Sequence, residues 1–438
     1  MSYQAVYTYA WDLAETGVAQ AVKQFRALGL DTVTYAGGYH AGKFLRPHGK
    51  SGKVYFPEDG TVYFKADPSR YGAIKPVANS ILKDRDILRE LTAQKDMATN
   101  VWLVLMHNSL LGAANPQASV ANAFGDHYIY SLCPASPDAR AYALGLARDV
   151  TESYPVSGIS METPGYLPYA HGYHHEFALN MPNRWLDNQL GLCFCDHCVK
   201  GAKAAGIDAA RLRTKTAADI SAYLASDIDF PADMAEAFWL ADTATGGDLR
   251  AFLDWRCSTV TALVAEIRAS VRKDATVAVI PSVARPTGGA WYEGSDLAAL
   301  AEACGIIEAC FYEPGANRVK ADLFDIKRRL GGRGELRGIM RPAFPDFTSK
   351  GEFLAAATAL VEGGVTGLAF YNWGHVREAN MAWIADAMKL LDGKTCASRA
   401  RSSPSPARQA ASASHSAALS AARALRSRRS TRARRSMA

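Results

Sequence analysis

Apolar residues along this chain fall into short runs, each closed by a polar or aromatic cluster. In the second half, Val277–Ile280, Ile306–Phe311, Leu336–Met340 and Gly367–Phe370 recur about every 30 residues. A strand, a helix and two short loops take that length. In the first half, Ala5–Tyr9, Thr32–Tyr35, Val101–Met106 and Gly158–Met161 read the same way. Between them the spacing turns helical: Val18, Ala21, Val22, Phe25 and Leu28 share one face of a helix over 15–28. Gly29 follows, where a left-handed residue ends a helix. Further helices are predicted over 81–95, 137–153 and 249–273. Eight strands alternating with helices predict an α/β protein, a (β/α)8 TIM barrel whose chemistry lies beyond the C-terminal strand ends.

Three connections are too long for simple links: residues 39–73 after strand 2, 108–137 after strand 3 and 163–252 after strand 4. In the first, Val54-Tyr-Phe and Val62-Tyr-Phe are expected to pair as a hairpin around Asp59-Gly60. Such loops would wall the mouth and favour exo-action on a short substrate.

Composition changes the picture mainly at the C-terminus. The formal charge of +6 is misleading, because ten arginines and no acid lie beyond residue 395. Without those ten, 39 basic side chains face 43 acidic ones, so the barrel of residues 1–395 is mildly acidic and offers no nucleic-acid surface. Residues 396–438, rich in Arg, Ser and Ala, cannot bury enough apolar surface to offset their ordering entropy and are expected to be disordered. The absence of an 18-residue apolar run argues against a membrane span. Strand 1 begins at once, leaving no room for a signal peptide, and the eight cysteines do not form a secreted disulfide pattern. A cytoplasmic location is the default. Oligomeric state, a homo-oligomer included, stays open.

The strand ends carry the candidate chemistry. In order, they present Trp11 and Asp12, Tyr39 and His40, His107 and Asn108, Glu162, Ser282 and Arg285, Tyr312 and Glu313, Arg341 and Asp346, then Asn372, Trp373 and His375. Aromatic faces stack on sugar C–H surfaces while polar groups bind hydroxyls, so the set suits a small glycoside or oligosaccharide. The lack of a Gly-rich phosphate loop after strands 7 and 8 argues against a sugar phosphate. Glycosidic cleavage needs one protonated and one ionised carboxyl, and Glu162 and Glu313 are the best-placed pair. Which is the acid stays open. Asp346 is a third candidate, and Asp12 reads as a hydroxyl ligand. A strand-end Glu can instead pair with Arg285 or Arg341. His40, His107 and His375 read equally as loop hydrogen-bonders, and Trp373 as a sugar platform rather than a core cap. A carbohydrate-binding barrel without catalysis, and a sugar lyase or isomerase using the same carboxylates, are the alternatives.

Cys193, Cys195 and Cys198 lie within six residues, a spacing that turns three thiolates toward one ion, and zinc is the natural occupant. Cys133 is the leading fourth ligand, with His197 or His174 behind it. Four ligands would leave no position for water, which makes the metal a structural clip on the insertion after strand 4. Cys257, Cys304 and Cys310 read as small buried hydrophobes.

Together these features resemble the glycoside-hydrolase-like (β/α)8 superfamily over residues 1–393. The C-x-C-x-x-C after strand 4 is similar to the zinc cluster of the family 42 β-galactosidases, in which an upstream cysteine, here Cys133, completes the site. The stretch Leu132–Arg140 is similar to such barrels too. The chain departs from that family at two places: Met161-Glu162 stands where Asn-Glu is typical, and no glutamate follows strand 7. The resemblance therefore implies the superfamily's fold and chemistry, not β-galactosidase activity.

Overall fold

The computed structural model of the chain describes residues 3–171, 173 and 176–402, with side chains as far as residue 390. It divides into a unit spanning Met1–Met388 and a second spanning Lys389–Ala438. In the first unit eight parallel strands close a barrel: β1 (Tyr3–Thr8), β2 (Thr32–Ala36), β3 (Ala98–Val104), β4 (Gly158–Glu162), β5 (Thr276–Ile280), β6 (Gly305–Cys310), β7 (Glu335–Met340) and β8 (Gly367–Phe370). Each strand lies beside its sequence neighbours, and β8 pairs with β1 in the register Tyr3 to Gly367. The (β/α)8 TIM barrel expected from the apolar runs is the fold.

Closure puts alternate side chains inside. Asn100 Nδ2 donates to Ser160 Oγ at 2.8 Å, and Ser160 Oγ donates to the wholly buried Glu308 at 2.5 Å. Tyr3, hydrogen-bonded to Thr34, lies under the Arg337 guanidinium at 4.2 Å. Above this polar layer Tyr7 and Trp102 meet edge-on at 5.5 Å. On the outer face Ile159, Met161, Val277 and Val279 are buried.

The helix expected over 15–28 is two helices, Ala10–Thr16 and Val18–Ala27, broken at Gly17. Gly29, at φ +84°, follows the second as the spacing predicts. The helix 137–153 is Pro137–Ser153, while 81–95 forms only a 3-10 turn and the short helix Ile87–Thr92.

The hairpin expected around Asp59-Gly60 does not form. Val54–Tyr55 pairs with Phe44–Leu45, whereas Thr61–Val62 joins Gly38–Tyr39 and Val77–Ala78. The cause is burial: Val62, Tyr63 and Phe64 pack inward, with the Tyr63 amide donating to Gly37, while Phe56 points to solvent. Two runs with opposite burial do not share one ribbon.

In the long connection after β4 lie four helices, Arg184–Leu190, Asp196–Ala204, Ala209–Leu224 and Ala232–Thr245, before Gly247–Ser270 returns the chain to β5. Helix Glu378–Ser402 runs through the expected boundary at residue 395. The disorder expected for the tail falls, from residue 403 on, outside the described residues. Among those described, no helix is long and apolar enough to cross a membrane.

Trp373 is a core residue and not the sugar platform its position suggested. It is buried edge-on against Phe25 at 5.1 Å and over His48, behind β8. Phe25→Ala should therefore open a cavity under Trp373 and cost about 3–5 kcal/mol, read as a lower urea midpoint at unchanged slope.

Candidate active site and metal centre

The inward alternation of the strands continues past their ends and decides which side chains meet. In β6 the inward set Glu308 and Cys310 is continued by Tyr312, which lies 6.1 Å from the inward Tyr371 after β8. Arg341 and Arg285 lie over the Tyr312 ring at 4.2 and 5.3 Å. Tyr9 continues β1, its hydroxyl 2.7 Å from that of Tyr371, and Tyr39 from β2 reaches the same hydroxyl at 3.4 Å. Trp11 is stacked between Tyr9 at 4.2 Å and Tyr55 at 4.8 Å. His40 stacks on Tyr39 and on His107, both within about 4.2 Å. The result is an aromatic cluster in which the hydroxyls of Tyr9 and Tyr39 meet that of Tyr371.

Glu162 stands in this cluster. It ends β4, and the Trp102 indole on β3 donates to its Oε2 at 2.5 Å. Burial pushes its carboxyl up to about 7, with the indole hydrogen bond pulling the other way. Thr163, at φ +52°, turns the chain out of the strand at once, a conformation a β-branched residue rarely adopts and one that concentrates at functional sites.

A second carboxyl with the same property is Glu293, which the strand-end reading missed. It closes the 3-10 segment Thr287–Glu293, well past the end of β5, and nothing in strand periodicity reaches it. Ser282 Oγ donates to it at 2.5 Å. Burial pushes it up to about 7 against the Ser282 hydrogen bond and the Arg285 and Arg256 charges, while the Glu162 charge pushes it further. The loop after β4 is laced to this residue: the Tyr166 amide donates to the Glu293 carbonyl at 2.9 Å. A Cβ on Gly165 would lie 2.1 Å from that same oxygen, so only glycine allows the approach.

Glu313, the expected partner of Glu162, faces the other way. It follows the inward Tyr312, so alternation turns it out, and Arg318 Nε donates to it at 2.6 Å. It lines a groove of about 1440 Å³ between helices Gly247–Ser270 and Ala316–Leu330, which neither Glu162, Trp102, Tyr312 nor Tyr371 lines. Of the carboxylates there, Asp325 pairs with Arg328 and Arg329, whereas the buried Asp322 accepts from Thr287 and is raised by burial, with the Glu313 charge adding to the rise.

Other expected ligands are also held by structure. Asp12 is buried against Arg46 at 2.8 Å; burial raises its carboxyl to about 6 while Arg46 lowers it. It is not a free hydroxyl ligand. Asn108 caps helix Ser109–Ala114 and donates to the Gly60 carbonyl. Asp346 takes both arms of Arg341, which removes it as an acid candidate. Asn372 is buried and accepts from the Gly374 amide. His375 contacts the Leu45 carbonyl at 3.1 Å and meets Tyr9 edge-on. His107 is pushed down to about 2 by burial, then by His40 and His171, and is neutral at the mouth.

Cys133, Cys193, Cys195 and Cys198 are all buried, their sulfurs within 4.8 Å of one another. Cys133 Sγ lies 3.4, 3.6 and 3.8 Å from those of Cys198, Cys195 and Cys193. Those separations far exceed a disulfide bond of about 2.05 Å. A tetrahedron of thiolates about 2.3 Å from zinc has edges of about 3.8 Å, so the donor set fits that ion. His197 is not in the cluster; His174 lies outside the described residues.

No protein-family model and no curated protein matches this chain. Solved structures do match in fold. The catalytic domain of β-amylase from Paenibacillus polymyxa aligns with a TM-score of 0.52 at 11% identity, covering 90% of this chain and 99% of that one. The PgaB (BpsB) glycoside hydrolase domain from Bordetella bronchiseptica gives 0.51 at 14% identity, covering 90% and 98%. The α-L-fucosidase isoenzyme 2 from Paenibacillus thiaminolyticus gives 0.51 at 10% identity over 90% of this chain; this chain spans only 50% of that one. The chain thus has the barrel fold of these glycoside hydrolases.

For the cysteine cluster the expected outcome is one zinc per chain by elemental analysis, and less than one in Cys133→Ser or Cys198→Ser. Stripping the metal should lower the unfolding temperature; at free zinc a thousandfold above Kd, about 4 kcal/mol is withdrawn.

Proposed function

We propose that the protein is a glycoside hydrolase acting on a small glycoside or oligosaccharide, with Glu162 as general acid and Glu293 as its ionised partner. The observation that carries this reading is the lacing of the loop after Glu162 to Glu293 through the Tyr166 amide, which ties two buried carboxyls together; burial raises each to about 7, and the Glu162 charge adds to the rise at Glu293. Like charges in one desolvated site leave the singly protonated pair favoured near neutrality, the state that acid-assisted cleavage needs.

The surroundings divide the roles. Glu162 sits among aromatic rings with one neutral donor, an environment that keeps a carboxyl protonated until a leaving oxygen takes the proton. Glu293 has the Ser282 hydroxyl and the Arg285 and Arg256 charges, all of which favour its ionised form. From there it attacks the anomeric carbon or takes a proton from the water that does. Tyr39, Tyr312 and Tyr371 supply hydroxyls and ring edges for the sugar ring, backed by Trp11 between Tyr9 and Tyr55, with His40, His107, His375, Arg285 and Arg341 at the rim. The four cysteines hold a structural zinc that pins the strand-4 insertion, and the site of action is the cytoplasm.

A panel of α- and β-aryl glycosides tests the reading. Glu162→Gln and Glu293→Gln should each lower kcat/KM by about 10²–10⁴-fold, while Glu313→Gln should leave it within a few-fold. Loss in Glu313→Gln with activity kept in Glu293→Gln would overturn the pairing. A silent panel with a folded protein would move the assignment to a binding barrel, or to a lyase or isomerase detected by solvent-deuterium incorporation.

The pH profile of kcat/KM should be a bell centred near 7. Trp102→Phe removes a hydrogen bond that favours ionised Glu162, so the Glu162 pKa rises further. If Glu162 is the acid, the alkaline limb moves to higher pH; movement of the acidic limb instead would exchange the two roles.

A further inference from the structure

The groove between helices Gly247–Ser270 and Ala316–Leu330 is separate from the mouth. Tyr292 and Glu313 line it, whereas Glu293 and Tyr312, next to them in the chain, do not. Its volume of about 1440 Å³ exceeds the roughly 300–1,000 Å³ of a pocket for one small molecule, so an extended ligand fits it better. The arginines that line it are matched. Arg184 meets Glu236 at 3.4 Å, and Arg250 meets Asp254 at 3.1 Å. Arg318 meets Glu313, and Arg329 meets Asp325, each at 2.6 Å. Of the two carboxylates left over, Asp322 accepts from the Thr287 amide and hydroxyl and is raised by burial. Asp296 caps helix Leu297–Cys304, where the helix dipole favours its charge. Little field remains to select an ion, while the paired groups stand as fixed donors and acceptors.

Two side chains in the lining lack partners. Trp291 is half-buried, and among the described residues its indole meets no other ring, no cation and no hydrogen-bond partner. Trp239, by contrast, is packed edge-on against Tyr292 at 5.7 Å. Thr261 Oγ1 is buried and has no hydrogen-bond partner among the described residues. A free indole and an unanswered hydroxyl suit the C–H faces and hydroxyls of a sugar chain. We propose that this groove is a second, non-catalytic carbohydrate site, which holds a neutral oligosaccharide on Trp291. The choice of a sugar rests on the hydrolase reading; the openness of the groove does not.

Ala262 is exposed on helix Gly247–Ser270 and lines the groove, so Ala262→Trp fills it without touching the core. Trp291→Ala removes the platform. Full-length protein carrying Glu162→Gln is titrated calorimetrically with neutral hexasaccharides of glucose, of mannose and of N-acetylglucosamine. The expected result is binding of at least one of them that Ala262→Trp and Trp291→Ala each weaken by about tenfold to hundredfold. That affinity should change less than about threefold between roughly 0.05 and 0.5 M NaCl, because no net charge is neutralised. In an otherwise wild-type chain, Ala262→Trp should keep the unfolding temperature and the rate of aryl-monoglycoside hydrolysis. Binding that survives Ala262→Trp undiminished, a steep fall with salt, or no binding of any of the three by folded protein would overturn the proposal. Ala262→Trp alone decides it if Trp291→Ala does not fold. Calorimetry reads binding in a chain without its acid, and aryl release reads cleavage in the wild type, so the two assignments fail separately.

Discussion

A closed parallel sheet has no free edge and turns every second side chain into one narrow cylinder, and that restriction organises the rest of this molecule. Whatever points inward must be packed or hydrogen-bonded there. The chain meets the requirement with Asn100, Ser160 and Glu308 in one network, Tyr3 under Arg337, and Tyr7 against Trp102. Glu162 is the next inward position above Ser160 on the same strand, and the indole of Trp102 from the layer below reaches it. The candidate acid is thus aimed by the packing of the barrel interior, not by its loop.

The same alternation separates residues that are adjacent in the chain. Tyr312 turns in to Tyr371, Arg285 and Arg341, while Glu313 turns out to Arg318. Trp373 has the parity of Tyr371 yet packs on Phe25 behind β8, because the chain has left the strand by then. Strand-end position alone therefore overstates the number of residues at the mouth, and parity corrects it at Glu313 but not at Trp373.

The insertion after β4 is tied to the barrel at two levels. Four buried sulfurs gather Cys133, at the end of the preceding excursion, with the turn around Cys193–Cys198. Tyr166 reaches Cys198 with its hydroxyl and Glu293 with its amide, and Gly165 permits the close approach. Glu293 enters the site by this route, from a 3-10 segment with no regular relation to any strand.

Much of this was open to reading in the amino-acid order. The eight apolar runs and their spacing determined the barrel, because a strand, a crossover helix and two turns need a fixed length of chain. The cysteine spacing, with Cys133 upstream, determined the sulfur cluster, since short-range geometry brings three of the four thiols together. Glu162 was visible because its strand carries it to the mouth by period two. Tertiary structure alone decided the partner proposed for it: the Glu162 charge reaches Glu293 only once the β4 loop and the segment after β5 pack together, and burial raises both carboxyls. It also decided that Asp12, Asn108 and Trp373 serve the framework, because Arg46, Gly60 and Phe25 come from distant segments, and that Asp346 folds back on Arg341 of its own loop. Residue type and local period specify which face a side chain takes. Which other face it meets, and how much water is left between them, follows only from the closed fold.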